Sequence, residues 1–232
     1  IMVKITILIS FYNEAGNIVR QLEDTLSTIK KIEKCDFHIV LVDDGSTDDS
    51  SLEVKKFISE NNKEMFTLIV HEKNSGKTNA FISAFEIIKT DYVIFMDGDY
   101  QDDPKEIPLL VEKILSGYEI VIGNQEKNPD LIKKLAAITY RYWLNSFLKT
   151  NVLTHSPQFY AIKFNFLQGL KLLKNDHRYL VIIALYKKAK FCEIKLKYLS
   201  REYGKSKFSK FKIIGAIFDT YKLLSRLKNG MY

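Results

Sequence analysis

Tyr92-Val93-Ile94-Phe95-Met96-Asp97-Gly98-Asp99-Tyr100-Gln101-Asp102-Asp103 runs from five apolar residues straight into a segment with four carboxylates. A short apolar run bounded by polar residues predicts a buried strand. The strand's end would aim Asp97 and Asp99 at one point, and Gly98 between them allows a ligand to come close. Paired carboxylates of this kind suit a hard divalent cation, Mg2+ or Mn2+, which takes oxygen ligands and commonly shares them with substrate phosphates. Gln101 would add a neutral oxygen. As a bare tripeptide, Asp-Gly-Asp is equally an acidic turn, and its place after an apolar strand is what favours the metal.

The same pattern, an apolar run with a polar end, recurs on both sides. Ile5-Thr6-Ile7-Leu8-Ile9 predicts a strand ending in Ser10-Phe11-Tyr12-Asn13-Glu14, after which Ile18, Leu22, Leu26 and Ile29 follow at helical spacing. His38-Ile39-Val40-Leu41-Val42 ends in Asp43-Asp44-Gly45-Ser46. A helix is expected to start at Ser46-Thr47-Asp48, with Leu52, Phe57 and Ile58 on one face. Phe66-Thr67-Leu68-Ile69-Val70 leads to Asn74-Ser75-Gly76-Lys77 and a helix through Ala80, Ala84, Phe85 and Ile88. Successive strand–helix units predict an α/β fold, a Rossmann-like, mostly parallel sheet with helices on both faces. Later, helices are expected over residues 136–148 and 179–186 and strands over 159–162 and 192–199, with Pro157 and Gly204 in loops.

Open sheets of this kind bind ligands outside the carboxyl ends of their strands, so the three acidic clusters converge on one edge. Asp43-Asp44-Gly45-Ser46 is also turn and cap chemistry. Capping accounts for Gly45 and Ser46 and leaves Asp43 and Asp44 to accept hydrogen bonds from a base or ribose. Lys77, at the start of a helix, either faces a diphosphate or belongs to an ordinary loop.

With 232 residues the chain fits one domain with a sizeable core. Its 46% hydrophobic and 27% charged residues, with 10 Gly and 4 Pro, exclude disordered, collagen-like and low-complexity classes. Cys35 and Cys192 lack CxxC or Cys/His spacing, which speaks against a disulfide framework or zinc and for a reducing compartment. No apolar run reaches the ~18 residues of a membrane span and no cleavable leader is visible, so a cytoplasmic chain is expected. The net charge is +7, yet residues 187–228 alone carry 13 Lys or Arg against 3 Asp or Glu. Such a patch suits nucleic acid, anionic lipid or a phosphorylated substrate. Within it Phe211, Ile214, Ile217, Phe218, Tyr221 and Leu224 recur at helical spacing, while Lys212, Asp219, Lys222, Arg226 and Lys228 fall elsewhere. The expected division is a catalytic domain over 1–210 and an amphipathic helix over 211–232, lying on a membrane or packed on the core.

SFYNEAGNI (10–18), LVDDGSTDDS (41–50), EKNSGKTNA (72–80) and MDGDYQDDP (96–104), in this order, resemble the family 2 glycosyltransferases of GT-A fold. Arg201-Glu202-Tyr203-Gly204-Lys205-Ser206-Lys207-Phe208 and His177-Arg178-Tyr179-Leu180 look like the subgroup that glycosylates polyprenyl phosphates. That subgroup includes dolichol-phosphate mannose synthases and bactoprenol glucosyltransferases. The resemblance implies inverting transfer from a UDP- or GDP-linked sugar to a lipid phosphate in cell-envelope glycan synthesis. The setting would be the inner face of the membrane, where the chain is peripheral. A membrane-protein partner or a homo-oligomer is compatible with it, and a nucleic-acid partner is not expected.

Residue by residue, the resemblance implies nucleoside contacts from Tyr12, Glu14, Asp43 and Asp44, and metal and diphosphate contacts from Asp97, Gly98, Asp99 and Gln101. Lys77 would face the diphosphate. Arg201 and Lys207 would clamp phosphate oxygens, as an Arg and a Lys in a glycine-containing loop are suited to do. Catalysis would rest on Asp97, Asp99, Arg201 and Lys207. Two segments depart from the pattern. Ile122-Gly123-Asn124-Gln125 stands where relatives carry G-S-R, and Thr154-His155-Ser156-Pro157-Gln158-Phe159 where they carry an acidic residue and a glycine before the aromatic. His155 is there a candidate substitute acid or base.

A lipid-phosphate acceptor is already anionic and needs no protein base, whereas a sugar hydroxyl would need one such as Asp102 or Asp103. Transfer to such a hydroxyl in cell-surface polysaccharide synthesis is the alternative enzyme reading. A module that binds nucleotide sugar without turnover is the alternative from another class, and the intact Asp97, Asp99, Arg201 and Lys207 speak against it. A nucleotidyltransferase would need a Gly-rich N-terminal signature that is missing.

Overall fold

A computed structural model describes residues 2–125, 131–199 and 212–232. Seven strands form one sheet: β1 (Val3–Phe11), β2 (Cys35–Asp43), β3 (Phe66–Val70), β4 (Tyr92–Asp97), β5 (Ile120–Gln125), β6 (Tyr160–Lys163) and β7 (Phe191–Leu196). Their order is β3-β2-β1-β4-β6-β5-β7. β1 pairs in parallel with β2 and β4, β2 with β3, and β5 with β7, while β6 runs antiparallel to both β4 and β5. The helices are α1 (Ile18–Ile29), α2 (Ser50–Glu60), α3 (Lys77–Phe85), α4 (Ile107–Leu115), α5 (Leu131–Leu148), α6 (Leu180–Tyr186) and α7 (Lys212–Lys228).

Side chains alternate across a strand with a period of two, and each face of the sheet carries its own core. On one face Ile5, Ile7 and Ile9 of β1, Ile39 and Leu41 of β2, and Ile94 and Met96 of β4 meet Ile18, Leu22, Val54, Leu110 and Ile114 of α1, α2 and α4. On the other, Leu8, Val40, Val93 and Phe95 meet Phe81 of α3, Leu144 of α5, Ile183 of α6 and Leu223 of α7. The register Ile7↔Ile39 and Ile7↔Ile94 holds the like-facing residues in line.

The connections from β1 through α1 to β2, and from β2 through α2 to β3, keep to the first face. The chain then crosses the second face through α3 and returns to pair β4 beside β1. The winding therefore reverses between β1 and β4, which opens a crevice at their carboxyl ends.

Several boundaries differ from the sequence expectation. The second helix begins at Ser50 rather than near Ser46 and buries Ser50, Val54 and Phe57, while Leu52 is exposed. Turn hydrogen bonds hold residues 46–48 ahead of the helix: Ser46 N donates to Asp43 Oδ1 at 2.8 Å, and Thr47 N to Asn13 Oδ1 at 2.7 Å. The last strand stops at Leu196, and Tyr198 instead bridges to Asp102.

The expected apolar stripe of the C-terminal helix divides. α7 buries Thr220, Leu223, Leu224 and Leu227 against the core beside α5 and α6, while Phe218 and Tyr221 are 57% and 64% exposed. Phe211 lies outside the described residues, and the side chains of Lys212, Ile214 and Ile217 lie outside the described side chains. Among the described residues, no helix is long and apolar enough to cross a membrane.

Candidate functional site

The crevice between β1 and β4 is a cleft of about 210 Å3. Ser10, Tyr12 and Glu14 line it from the end of β1, Asp97, Gly98 and Asp99 from the end of β4, Asp44 from β2, and Lys77 from the start of α3. Five acidic or basic side chains from four separate elements thus share one small space.

The loop after β4 is held from several sides. Asp102 is 1% exposed, and its Oδ2 accepts from Asp97 N at 3.0 Å. Tyr100 adopts φ +58°, a left-handed conformation that an aromatic residue takes only when its surroundings impose it. They do so here. Its hydroxyl donates to Asp24 of α1, and the Arg20 guanidinium lies 4.2 Å from its ring centroid. Gln101 offers its backbone carbonyl to Leu199 N at 2.9 Å, and the cleft lining does not include its side chain.

Gly98 is required for a reason other than ligand access. A Cβ there would meet Phe11 Cβ at 2.7 Å, so the glycine lets β4 and β1 close on each other. Asp99 is 7% exposed and its Oδ1 accepts from Gln101 N at 3.3 Å. Asp97 receives Lys77 Nζ on Oδ1 and Gln158 Nε2 on Oδ2, the latter at 3.4 Å. Among the described residues no group of three His, Cys, Asp or Glu side chains could hold a metal. Two hard carboxylates in a cleft still fit Mg2+ or Mn2+, because these ions complete their octahedra with water and phosphate oxygens.

Asp43 and Asp44 part company. Asp44 Oδ1 accepts from Ser75 N and Ser75 Oγ, both at 2.9 Å, and from His71 Nδ1 at 3.0 Å, while Oδ2 accepts from Gly76 N at 2.8 Å. Three donors crowd Oδ1, and Oδ2, with one, keeps room for another. Asp44 thereby latches the loop that carries Lys77, and it also lines the cleft where the nucleoside contact is expected. Gly45 tightens that latch: a Cβ on it would lie 2.4 Å from the Lys73 carbonyl carbon, and its φ is +73°. Asp43 is fully buried, and its Oδ2 has no hydrogen-bond partner among the described residues. Such an orphan acceptor is costly unless a ligand or water satisfies it.

Glu14 Oε2 accepts from Asn17 Nδ2 at 2.9 Å, and Glu14 N donates to Ser50 Oγ at 2.8 Å, which ties the segment after β1 to α2. The two candidate bases are committed to the backbone: Asp102 holds Asp97, and Asp103, also buried, accepts from Lys105 N at 3.0 Å.

His155 is held in the neutral form, which leaves it no proton to give as a general acid at neutral pH. Burial, then the nearby Arg141, lowers its pKa to about 4, and its Nε2 meets Asn145 Oδ1 at 3.0 Å. His177 is lowered further, to about 3, by burial and then by Lys77 and Arg178. Thr78 Oγ1 accepts from Asn175 N at 3.1 Å and lies 2.7 Å from His177 Nδ1, so the neutral imidazole joins the segment before α6 to the start of α3. Tyr160 stacks on Phe95 at 4.6 Å, and burial together with the Asp97 charge keeps its phenol protonated.

Arg201 and Lys207 lie outside the described residues. Gln158 and His177 were not singled out as site residues by sequence reasoning. Their partners Asp97 and Thr78 lie 61 and 99 residues away, and no local pattern signals such pairing.

The glycosyl transferase family 2 model matches residues 6–194. Undecaprenyl-phosphate 4-deoxy-4-formamido-L-arabinose transferase of Pectobacterium atrosepticum is 28% identical over 222 residues, covering 95% of this chain and 67% of the relative. The protein of the same name from Proteus mirabilis is 26% identical over 224 residues, covering 96% and 68%. Among solved structures, glucosyl-3-phosphoglycerate synthase of Mycobacterium tuberculosis bound to phosphoglyceric acid is similar with a TM-score of 0.72 and 19% identity, over 97% of this chain and 80% of that one. The same enzyme with Mn2+ and UDP-glucose gives 0.70 and 18%, over 97% and 79%. At these identities the structures carry the fold, a mostly parallel α/β sheet of GT-A type.

Proposed function

The chain belongs to glycosyl transferase family 2, and on that premise we propose that it moves a sugar, with inversion, from a nucleoside-diphosphate donor to a polyprenyl phosphate at the inner membrane face. One observation carries the reading: Asp97, Asp99 and Lys77 meet in the cleft at the point where the sheet's winding reverses. A diphosphate there would find a cation for its oxygens and carboxylates able to share a metal with it.

Tyr12, Glu14 and Asp44 line the cleft for the nucleoside, and Asp43, buried directly before Asp44, is proposed to offer its unpartnered Oδ2 to a ring N–H of the base. Asp97 and Asp99 would hold Mg2+ or Mn2+; structures similar to this fold are named as complexes with Mn2+ and UDP-glucose or with Mg2+ and UDP. When bound, the ion would neutralise charge growing on the leaving diphosphate. Lys77 acts on the same oxygens from the first turn of α3, whose N-terminus also favours anions. Arg201 and Lys207 are proposed as a further clamp.

The relatives named undecaprenyl-phosphate transferases support the acceptor. So does the side-chain chemistry, since an acceptor phosphate attacks as an anion and asks for no base. Transfer to a sugar hydroxyl is disfavoured because Asp102 and Asp103 are buried and hold backbone N–H groups. Membrane attachment is proposed through the exposed Phe218 and Tyr221 of α7, with Lys222 lying 4.4 Å over the Phe218 ring. The relation to a membrane-protein partner or a second copy is left to that surface as well.

Calorimetry with UDP and GDP in the presence of Mn2+ tests the donor site. One of the two should bind, and chelation of the metal should weaken it at least about tenfold. Binding of neither, by a folded protein, would overturn the proposal.

A further inference from the structure

Both carboxylate oxygens of Asp97 are engaged by the chain itself, Oδ1 by Lys77 Nζ and Oδ2 by Gln158 Nε2. The lysine is brought there by construction. Gly76, at φ +90° and ψ 151°, caps α3, and its N–H is held by Asp44 Oδ2 at 2.8 Å. The ammonium also lies 5.5 Å over the Phe81 ring. Its backbone is thus fixed while four methylenes leave the charge free to swing. A divalent cation seeking Asp97 would have to share the carboxylate with this ammonium, and two cations at that range repel strongly in a partly buried site.

We propose that Lys77 is the resident counter-cation of Asp97, giving up that place to the divalent cation and passing to the donor's diphosphate. Metal and nucleotide then bind as a coupled pair, because the nucleotide supplies the anion that the displaced lysine needs. Each ligand raises the affinity of the other by the same factor. The inference rests on the donor and metal reading above and adds to it an exchange between two cations at one carboxylate. Neutral Gln158 holds the other oxygen and is expected to be displaced at small cost.

The test is titration of the purified chain with Mn2+, free ion being read by electron paramagnetic resonance, with and without UDP or GDP. The wild type should bind Mn2+ weakly by itself and roughly tenfold or more tightly with nucleotide, within the usual range of coupling. Lys77→Met should bind Mn2+ alone about tenfold more tightly than the wild type and gain much less from nucleotide. Lys77→Arg should behave as the wild type. Should the Met variant melt early, Lys77→Gln, which keeps a donor without charge, serves in its place. A well-folded Lys77→Met or Lys77→Gln with unchanged or weaker affinity for Mn2+ alone would overturn this inference and leave the donor reading standing. Failure of the wild type to bind Mn2+ with either nucleotide would overturn the donor reading, and this inference with it.

Discussion

Asp99 shows what a single residue contributes here, because its carboxylate reaches the cleft while its loop is held by Tyr100, Asp102 and Leu199. Asp99→Asn keeps the side chain's size and removes its charge. Turnover should fall by about a thousandfold, since a metal contact of this kind is worth several kcal/mol and each 1.36 kcal/mol is a factor of ten. The melting temperature should stay close to that of the wild type, and near-normal turnover would remove Asp99 from the metal site. His155 and His177 make a second prediction. Both are held neutral in the fold with pKa values lowered to about 4 and about 3, against about 6.5 when unfolded. Their contribution is therefore complete above pH 6.5 and is lost as pH falls toward those values, at about 1.4 kcal/mol per pH unit for each histidine. Denaturant titrations at pH 7 and pH 5 should show this loss, and His155→Gln should remove about half of the slope. Asp97 and Asp99 were legible because their meaning is local, an apolar run and a glycine. The pairing of Asp44 with Ser75 was not, because the two lie 31 residues apart in the chain.

Among the elements, α7 departs most from its pattern. Its period suggested one stripe through Phe218, Tyr221 and Leu224, yet Leu223, Leu224 and Leu227 are the ones buried. The reason is polar. Arg226 makes a two-pronged ion pair with buried Asp176, at 2.7 and 2.8 Å, and Tyr140 OH meets Thr220 Oγ1 at 2.8 Å. These contacts fix the helix's rotation, and a hydrophobic period cannot see them. Arg226→Met should destabilise the fold by about 3–5 kcal/mol, because it strands a buried carboxylate. Asp176→Asn combined with Arg226→Met should recover part of that loss in equilibrium denaturation. A chain ending near Lys210 should fail to fold, since it uncovers the core beneath Leu223 and Leu227. Co-sedimentation addresses the exposed side of the same helix. The full chain should bind anionic vesicles more than neutral ones, and Phe218→Ser with Tyr221→Ser should weaken this about tenfold or more, given about 1.5–3 kcal/mol for burying a Phe-sized side chain. Negligible binding by the folded wild type would refute the anchor.

At the scale of the molecule, strand–helix alternation predicted the parallel part of the sheet, and with it the edge on which the carboxylates gather. The antiparallel insertion of β6 between β4 and β5 was not readable, because strand order depends on long-range pairing that the local pattern of β6 leaves open. Gly123 shows the same dependence. A Cβ there would meet the Phe159 carbonyl oxygen at 2.2 Å, a requirement visible only once β5 and the chain before β6 are side by side. The segments 122–125 and 154–159, which were read as departing from the family pattern, belong to this part of the chain, so chemistry must decide the acceptor. The purified chain should be incubated with Mn2+, a panel of UDP- and GDP-linked sugars and undecaprenyl phosphate, with lipid-linked sugar followed by mass spectrometry. One donor should give a metal-dependent polyprenyl-phosphate glycoside that Asp99→Asn fails to make; no lipid-linked product from any donor, with free nucleoside diphosphate released only when a sugar-hydroxyl acceptor is supplied, would contradict the account.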